Sequence, residues 1–447
     1  MTKITFIGAG STIFCKNILG DVLCTPELQD SEIALYDINP QRLKESEMML
    51  TTLNHNINQD RATIRTYCGV ENRKDALRGA DFAVNAIRVW DYTISEAIDF
   101  AIPTRYGLRQ TIGDTLGIGG IFRGLRTIHV VEGFANDIKT VCPNALFLNY
   151  TNPMSIVTGY LQRICQLKCV GLCHSVQVCA SNLLKELDIY DKYWPVTWKI
   201  AGINHMAWLL DIEKDGKSLY PEIRKLAEKK NRAARKPDGT KHGDMVRFEI
   251  LKHFGYYNTE SSEHTAEYHP YFIKAANESL ISEFNIPLDE YLRRCKNQIT
   301  EWNQRRHEIV HNAKLSHTKT HEYGAAIMEA ILTDTPIEIG GNVINHGLIP
   351  NLPDEACVEV PCLVNRNGVQ GCQVGPLPTQ LAALNMTHIN VHFLTIEAAL
   401  KRSRQLVYQA AMLDPHTRAE LSLDKIREMC DDLFEAHIQD GILPEYK

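Results

Sequence analysis

The chain has 447 residues, and its 54 acidic side chains outnumber 48 Lys and Arg for a formal net charge of −6. With 44 % hydrophobic and 23 % charged residues it has the balance of a soluble globular protein, and its length suggests two or three domains at ~150 residues each. Mild acidity argues against a nucleic-acid partner, which a basic face would mark, and no apolar run reaches the ~18–20 residues of a membrane span.

The N-terminus, MTKITFIGAG, reads directly into a strand, with no apolar export segment before it. The thirteen cysteines then point to thiols in a reducing cytoplasm, and their spacing contains no CxxC pair. Ile4–Ile7 is the first strand, followed by Glu32–Ile38 and a helix opened by Pro40, PQRLKESEMML. Further strands are expected at Thr63–Tyr67, Ala80–Ile87, Ala145–Tyr150 and Cys169–Cys173. This alternation of apolar strands with helical patterns predicts βαβ units and a parallel sheet. From about Trp194 the alternation breaks down. The basic stretch from Arg224 to Lys241 reads as a solvated helix end and loop, while helices are expected over Leu288–Val310 and Glu322–Leu332 and a strand over Cys357–Val364. The expected fold is α/β: a Rossmann-like, doubly wound parallel domain over residues 1–194 and an α+β domain over 195–447.

Gly8-Ala9-Gly10-Ser11 follows the first strand and opens a helix, where a Rossmann fold holds a dinucleotide pyrophosphate. Glycines allow backbone amides close to the phosphates, and the helix N-terminus favours negative charge. Asp37, at the end of the second strand, is placed for the adenosine ribose and favours NAD over NADP. Ile13 stands where the third glycine of the fingerprint is expected. A glycine-rich tight turn of some other α/β protein is the plainer alternative.

Ligands in open α/β sheets bind beyond the carboxyl ends of the strands. Three polar clusters fall there: Asn149 to Pro153, Cys173-His174-Ser175, and Asn204-His205 within AGINHMAW. Cys173 and His205 form a soft-plus-imidazole pair suited to a divalent transition metal. Each also has a plainer reading, as a small core residue and as a satisfied structural histidine. The run from Thr259 to Tyr271 is dense in titratable and hydroxyl groups, which suits acid–base work or an exposed polar loop equally.

The segments KITFIGAGSTIFCKNILGD, YGLRQTIGDTLGIGGIFRGLRTI, LNYTNPM, VGLCHSVQ, AGINHMAW, TESSEHTAEYHPYFIK and NLPDEACVEVPCLV, with PHT downstream, together resemble glycoside hydrolase family 4, the NAD- and metal-dependent glycosidases, in their melibiase-type α-galactosidase branch. The resemblance covers essentially the whole chain; a lactate- or malate-type dehydrogenase would share only the first segment. It implies NAD on Gly8, Gly10, Ser11 and Asp37, Mn²⁺ on Cys173 and His205, substrate contacts from Asn152, and a sugar-facing acid at Asp114. Tyr268 falls at the position of the family's base. His174 stands where phospho-glycosidase relatives carry an acidic general acid, so the proton donor differs here. Arg88-Val89-Trp90-Asp91-Tyr92 replaces a Gly-Gly-Tyr turn of the melibiases and alters the expected sugar pocket.

The family is an exception to two-carboxylate glycoside hydrolysis. The resemblance implies oxidation at C3 of the sugar by NAD⁺, loss of the acidified C2 proton to Tyr268, elimination of the C1 oxygen, addition of water and return of the hydride, with no net redox change. The expected substrate is an α-galactoside such as melibiose, taken by a homodimer or homotetramer. Arg88 motivates an alternative, a hexuronide, because guanidinium pairs with carboxylate. A simple NAD-dependent sugar dehydrogenase is a third reading, resting on the Rossmann signature alone. A non-enzymatic NAD sensor explains neither the Cys/His pair nor the tyrosine cluster.

Overall fold

The computed structural model describes residues 1–236 and 238–447; Pro237, inside the basic stretch 224–241, lies outside the described residues. The strands are β1 Lys3–Ile7, β2 Glu32–Asp37, β3 Thr63–Cys68, β4 Phe82–Asn85, β5 Leu146–Asn149 and β6 Cys169–Leu172, then β7 Thr197–Ile203, β8 Met206–Lys214, β9 Lys217–Ser218, β10 Tyr257–Asn258, β11 Ile337–Ile344, β12 Cys357–Asn365 and β13 Gly368–Gly371. The first six run parallel in the order β3-β2-β1-β4-β5-β6, the doubly wound order with its switch point between β1 and β4. β1, β4 and β6 are apolar and buried throughout or nearly so, as strands covered on both faces must be.

The later strands do not build a second sheet. β11 pairs antiparallel with β6, and β12, β7, β8 and β10 continue outward, so among the described residues all thirteen strands form one sheet. The change of pattern near residue 194 is therefore a change from parallel to antiparallel pairing within a continuous sheet. The C-terminal helices also return to the parallel half. Val391 and Ile396 of helix Thr379–Lys401 share a core with Ile121 and Leu125 of helix Gly117–Val141 and with Ile156. Gly124 sits where these helices meet, and an added Cβ would approach Ile156 and Thr395 methyls at 3.2 and 3.3 Å.

A strap between helices Glu290–Val310 and Tyr323–Thr333 crosses the dinucleotide half. Its His317 Nε2 bonds Asp21 Oδ1 at 2.7 Å, and the Thr320 N–H donates to the same oxygen at 2.7 Å. Burial disfavours the Asp21 anion, yet His317 and Thr320 outweigh it and hold the carboxyl below its ordinary value. All thirteen cysteines are free thiols, and no helix of the described residues is long and apolar enough to cross a membrane.

Candidate active site

The dinucleotide cradle lies at the end of β1. Gly8 adopts φ 90°, a left-handed conformation open to glycine, and a Cβ there would lie 2.9 Å from the backbone of Ala86 beyond β4. Asp37 Oδ2 accepts from the Gly10 N–H at 2.6 Å, and Oδ1 accepts from the Asn39 N–H at 2.8 Å. A side chain at Gly10 would meet that carboxylate at 2.7 Å. The Ser11 hydroxyl is buried without a partner, a free donor at the mouth of the following helix. A side-chain-free loop, an orphaned hydroxyl and a strand-end carboxylate suit a dinucleotide; Ile13, partly exposed, takes the place of the third glycine without closing the cradle.

The second cluster is assembled from four separate segments. Cys173 directly follows β6, and His205 occupies the two-residue turn joining β7 to β8, where Ile203 pairs with Met206. His205 has φ 63°, a conformation that costs a non-glycine residue about 1–3 kcal/mol and persists where surroundings hold it. Glu260 lies in the loop after β10, and donor atoms of Cys173, His205 and Glu260 all fall within 4.8 Å of one another. Donors around one ion at about 2.0–2.3 Å span about that distance. Thiol, imidazole and carboxylate together suit a first-row divalent transition ion better than Mg²⁺ or Ca²⁺. A second triplet of the same kind, Asp114, His205 and His264, shares His205.

Tyr268 closes helix Ser262–Tyr268. Pro270 drives His269 into an extended conformation and so ends the helix at the tyrosine. Its hydroxyl lies 3.1 Å from His205 Nδ1, while His205 Nε2 faces Glu260 Oε2 at 3.3 Å. Burial works against a charged His205 ring, but Glu260, Cys173 and Asp114 raise its pKa to about 10. Burial also raises Tyr268 well above the usual phenol value, with Asp114, Glu267 and Glu260 adding to it. Asp114 accepts from Asn152 Nδ2 at 3.2 Å and from the Thr115 hydroxyl at 2.7 Å. Burial disfavours its charge, yet His264, Arg123 and His205 hold the carboxyl well below the ordinary range.

The structure thus brings together Cys173, His205, Tyr268, Asp114 and Asn152, all singled out in the sequence. His174 is set differently. It is half exposed, with its ring edge-on to Phe14, tilted against Tyr150 and its Nε2 bonded to Glu322, so it faces the helix that opens the dinucleotide half. The Glu322 hydrogen bond raises its pKa against the effect of burial. Arg88 lies over the Tyr92 ring at 5.6 Å, with Nη1 3.7 Å from Cys295 Sγ. The Thr151 hydroxyl donates to Ile87 O at 2.9 Å, tying the Arg88 loop to the segment that carries Asn152.

Sequence reading missed Glu260, His264 and Glu359 as members of this cluster. The first two stood inside the polar run 259–271 without a sign of which would turn inward. Glu359 is buried on β12, where its Oε1 accepts from Asn204 Nδ2 at 3.1 Å and Asn342 Nδ2 at 3.0 Å. Asn342 also donates to Gly171 O at 3.3 Å. One carboxylate therefore ties the His205 turn to the strand leading to Cys173, and burial raises its pKa. The signal was available: a lone acid between Val358 and Val360 in the otherwise apolar strand CVEVPCLV.

Comparison with known proteins places these residues in context. A family model described as family 4 glycosyl hydrolase matches residues 3–189, and one described as the family 4 glycosyl hydrolase C-terminal domain matches residues 200–417. An α-galactosidase of Bacillus subtilis is 56 % identical over 447 residues, covering 100 % of both chains. An α-galactosidase of Rhizobium meliloti is 31 % identical over 99 % of this chain and 89 % of its own. Among solved structures, a 6-phospho-α-glucosidase from gut microorganisms, in complex with NAD and Mn²⁺, superposes with a TM-score of 0.79 at 21 % identity, covering 100 % of each chain.

Proposed function

The chain belongs to family 4 of the glycosyl hydrolases, and from that membership we propose that it hydrolyses α-galactosides with NAD and Mn²⁺ bound. The observation that carries the residue assignment is the Tyr268 hydroxyl at 3.1 Å from His205, on the ring edge opposite Glu260. Relatives named α-galactosidase at 56 % and 31 % identity support the sugar, and the NAD- and Mn²⁺-bound 6-phospho-α-glucosidase supports the cofactors.

Gly8, Gly10, Ser11 and Asp37 would hold NAD, and Cys173, His205 and Glu260 would hold the ion. When bound, the ion would supply Lewis-acid stabilisation of negative charge developing on the sugar, and NAD would supply a hydride acceptor. His205 directs Nδ1 at the Tyr268 oxygen, so an Nδ1–H donates there and favours phenolate. Tyr268 then takes the C2 proton as general base. Asn152 and Asp114, bonded to each other, present one amide and one fixed carboxylate to sugar hydroxyls. His174, held by Glu322 and packed on Phe14 and Tyr150, stands on the dinucleotide side of this cluster. Arg88 lies over Tyr92, and the relatives named α-galactosidase at 56 % and 31 % identity favour the galactoside over a uronate. A reducing cytoplasm keeps Cys173 unoxidised and is the compartment we assign.

The test is turnover of a nitrophenyl glycoside panel with NAD⁺, Mn²⁺ and a thiol reductant. The α-galactoside is expected to be hydrolysed without accumulation of NADH, and EDTA to silence the enzyme until Mn²⁺ is restored. An inert α-galactoside overturns the substrate assignment. NADH released in step with product instead identifies a dehydrogenase.

A further inference from the structure

Beside Tyr268 on the same short helix stands a carboxylate that the reaction above does not use. Glu267 is buried, and its two oxygens are taken up by one loop. Oε2 accepts from the Thr111 N–H at 2.8 Å and the Ile112 N–H at 3.2 Å, and Oε1 accepts from the Gly113 N–H at 2.9 Å. Three successive amides converging on one acceptor make an anion nest, here filled from within the protein. The next residue is Asp114. Gly113 has φ 58°, so the turn into Asp114 uses a conformation that glycine adopts freely. The same loop is fixed at its other atoms. The Thr111 hydroxyl donates to Glu263 O at 2.7 Å, and the Gln110 amide nitrogen donates to Asp99 O at 2.7 Å.

We propose that Glu267 is a positioning residue: it locks loop 111–113 to the Tyr268 helix and thereby sets Asp114 against the sugar in register with Tyr268. This rests on the reading of the site as that of a redox glycosidase with Asp114 facing substrate. Both Glu267 oxygens already accept from backbone donors, two at Oε2 and one at Oε1, so the carboxylate is engaged in holding the loop. A neutral amide in its place can accept on one side only, and its NH₂ group would face an N–H. The loop then shifts, and a displacement of ~1 Å at a group touching substrate costs about 10²-fold in rate.

The experiment is a double-mutant cycle in the full-length holoenzyme with NAD⁺ and Mn²⁺, read on whichever nitrophenyl glycoside the wild type turns over. Failure of the galactoside assignment therefore leaves the cycle readable. Glu267→Gln is expected to lower kcat about 10²-fold, with the midpoint of the acidic limb of the kcat–pH profile unchanged. The variant Asp114→Asn is expected to be impaired by itself, and adding Glu267→Gln is expected to lower kcat little further, because both act through one group. Glu267→Asp, which keeps two carboxylate oxygens, is expected to restore part of the rate and carries the same cycle if the amide variant does not fold. Loss of the acidic limb in Glu267→Gln makes Glu267 itself the base and overturns the proposal. So do multiplying effects in the double variant, full activity of Asp114→Asn, or an undiminished kcat in Glu267→Gln.

Discussion

The parallel and antiparallel halves of the sheet use the chain in opposite ways. At the β1 end, recognition rests on the backbone: two glycines, an open helix start and a single carboxylate, all within about 30 residues of sequence. At the β6–β7 end the working groups are side chains from four segments, and Cys173, His205, Glu260 and Tyr268 meet only when the whole sheet is formed. The first half keeps the local form of an ordinary Rossmann unit. The second carries the strain of a left-handed histidine and the burial of several acids, and it relies on its neighbours to tolerate both.

Damage on the antiparallel side is expected to fall on chemistry, and damage on the parallel side on affinity. The largest effect is expected from Tyr268→Phe, which keeps the packed ring and removes the oxygen. Its kcat should fall ~10²–10⁴-fold, with exchange of the sugar C2 hydrogen in heavy water lost in parallel. Near-normal kcat and exchange would move the base elsewhere and blur the division. Next comes Cys173→Ser. Loss of a direct thiolate should weaken Mn²⁺ by more than the ~10–100-fold typical of a supporting group, read by metal titration, with the melting temperature nearly preserved.

How legible each half was follows the same line. Continuous apolar strands and the Gly8–Ser11 turn are short-range patterns, and β1 to β6 were readable from them to within two residues at each end. Cys173 and His205 could be singled out because strand ends are where α/β sheets bind ligands. That Glu260 joins them, that Asp114 meets His264 and that Glu359 reaches Asn204 depend on pairings between segments far apart in sequence, up to 155 positions for Asn204 and Glu359. The joining of β11 to β6 was equally hidden, since antiparallel strands look alike whether they extend a sheet or begin another.

The strap tests whether the halves are coupled mechanically. Asp21→Asn leaves His317 and Thr320 with a poorer acceptor and should cost about 1–3 kcal/mol of stability in thermal or denaturant unfolding. Because the folded Asp21 pKa is depressed, the wild-type contribution is fully present above the ordinary aspartate value and is lost as pH falls through the lower, folded value. The variant should show a shallower acid dependence over that range. The smallest effect is expected from Asp37→Ala: NAD binding weaker by ~0.5–1.5 kcal/mol for the lost ribose bond, with Mn²⁺ affinity unchanged. A change in metal affinity there would mean that the cradle and the ion site are not independent.

The return of helix Thr379–Lys401 onto helix Gly117–Val141 has a consequence for the timing of synthesis. About 240 residues separate the end of one helix from the start of the other, so at ~5–20 residues per second the ribosome needs roughly 10–50 s to deliver the partner. Throughout that interval the core holding Ile121, Leu125 and Ile156 lacks the C-terminal helices that supply Val391 and Ile396 to it. Slowing translation downstream of residue 141 should lengthen the time that part of this core stays uncovered. A ribosome-stalled chain ending before Thr379 is expected to be protease-sensitive across this helix, and one extended beyond Lys401 to be protected.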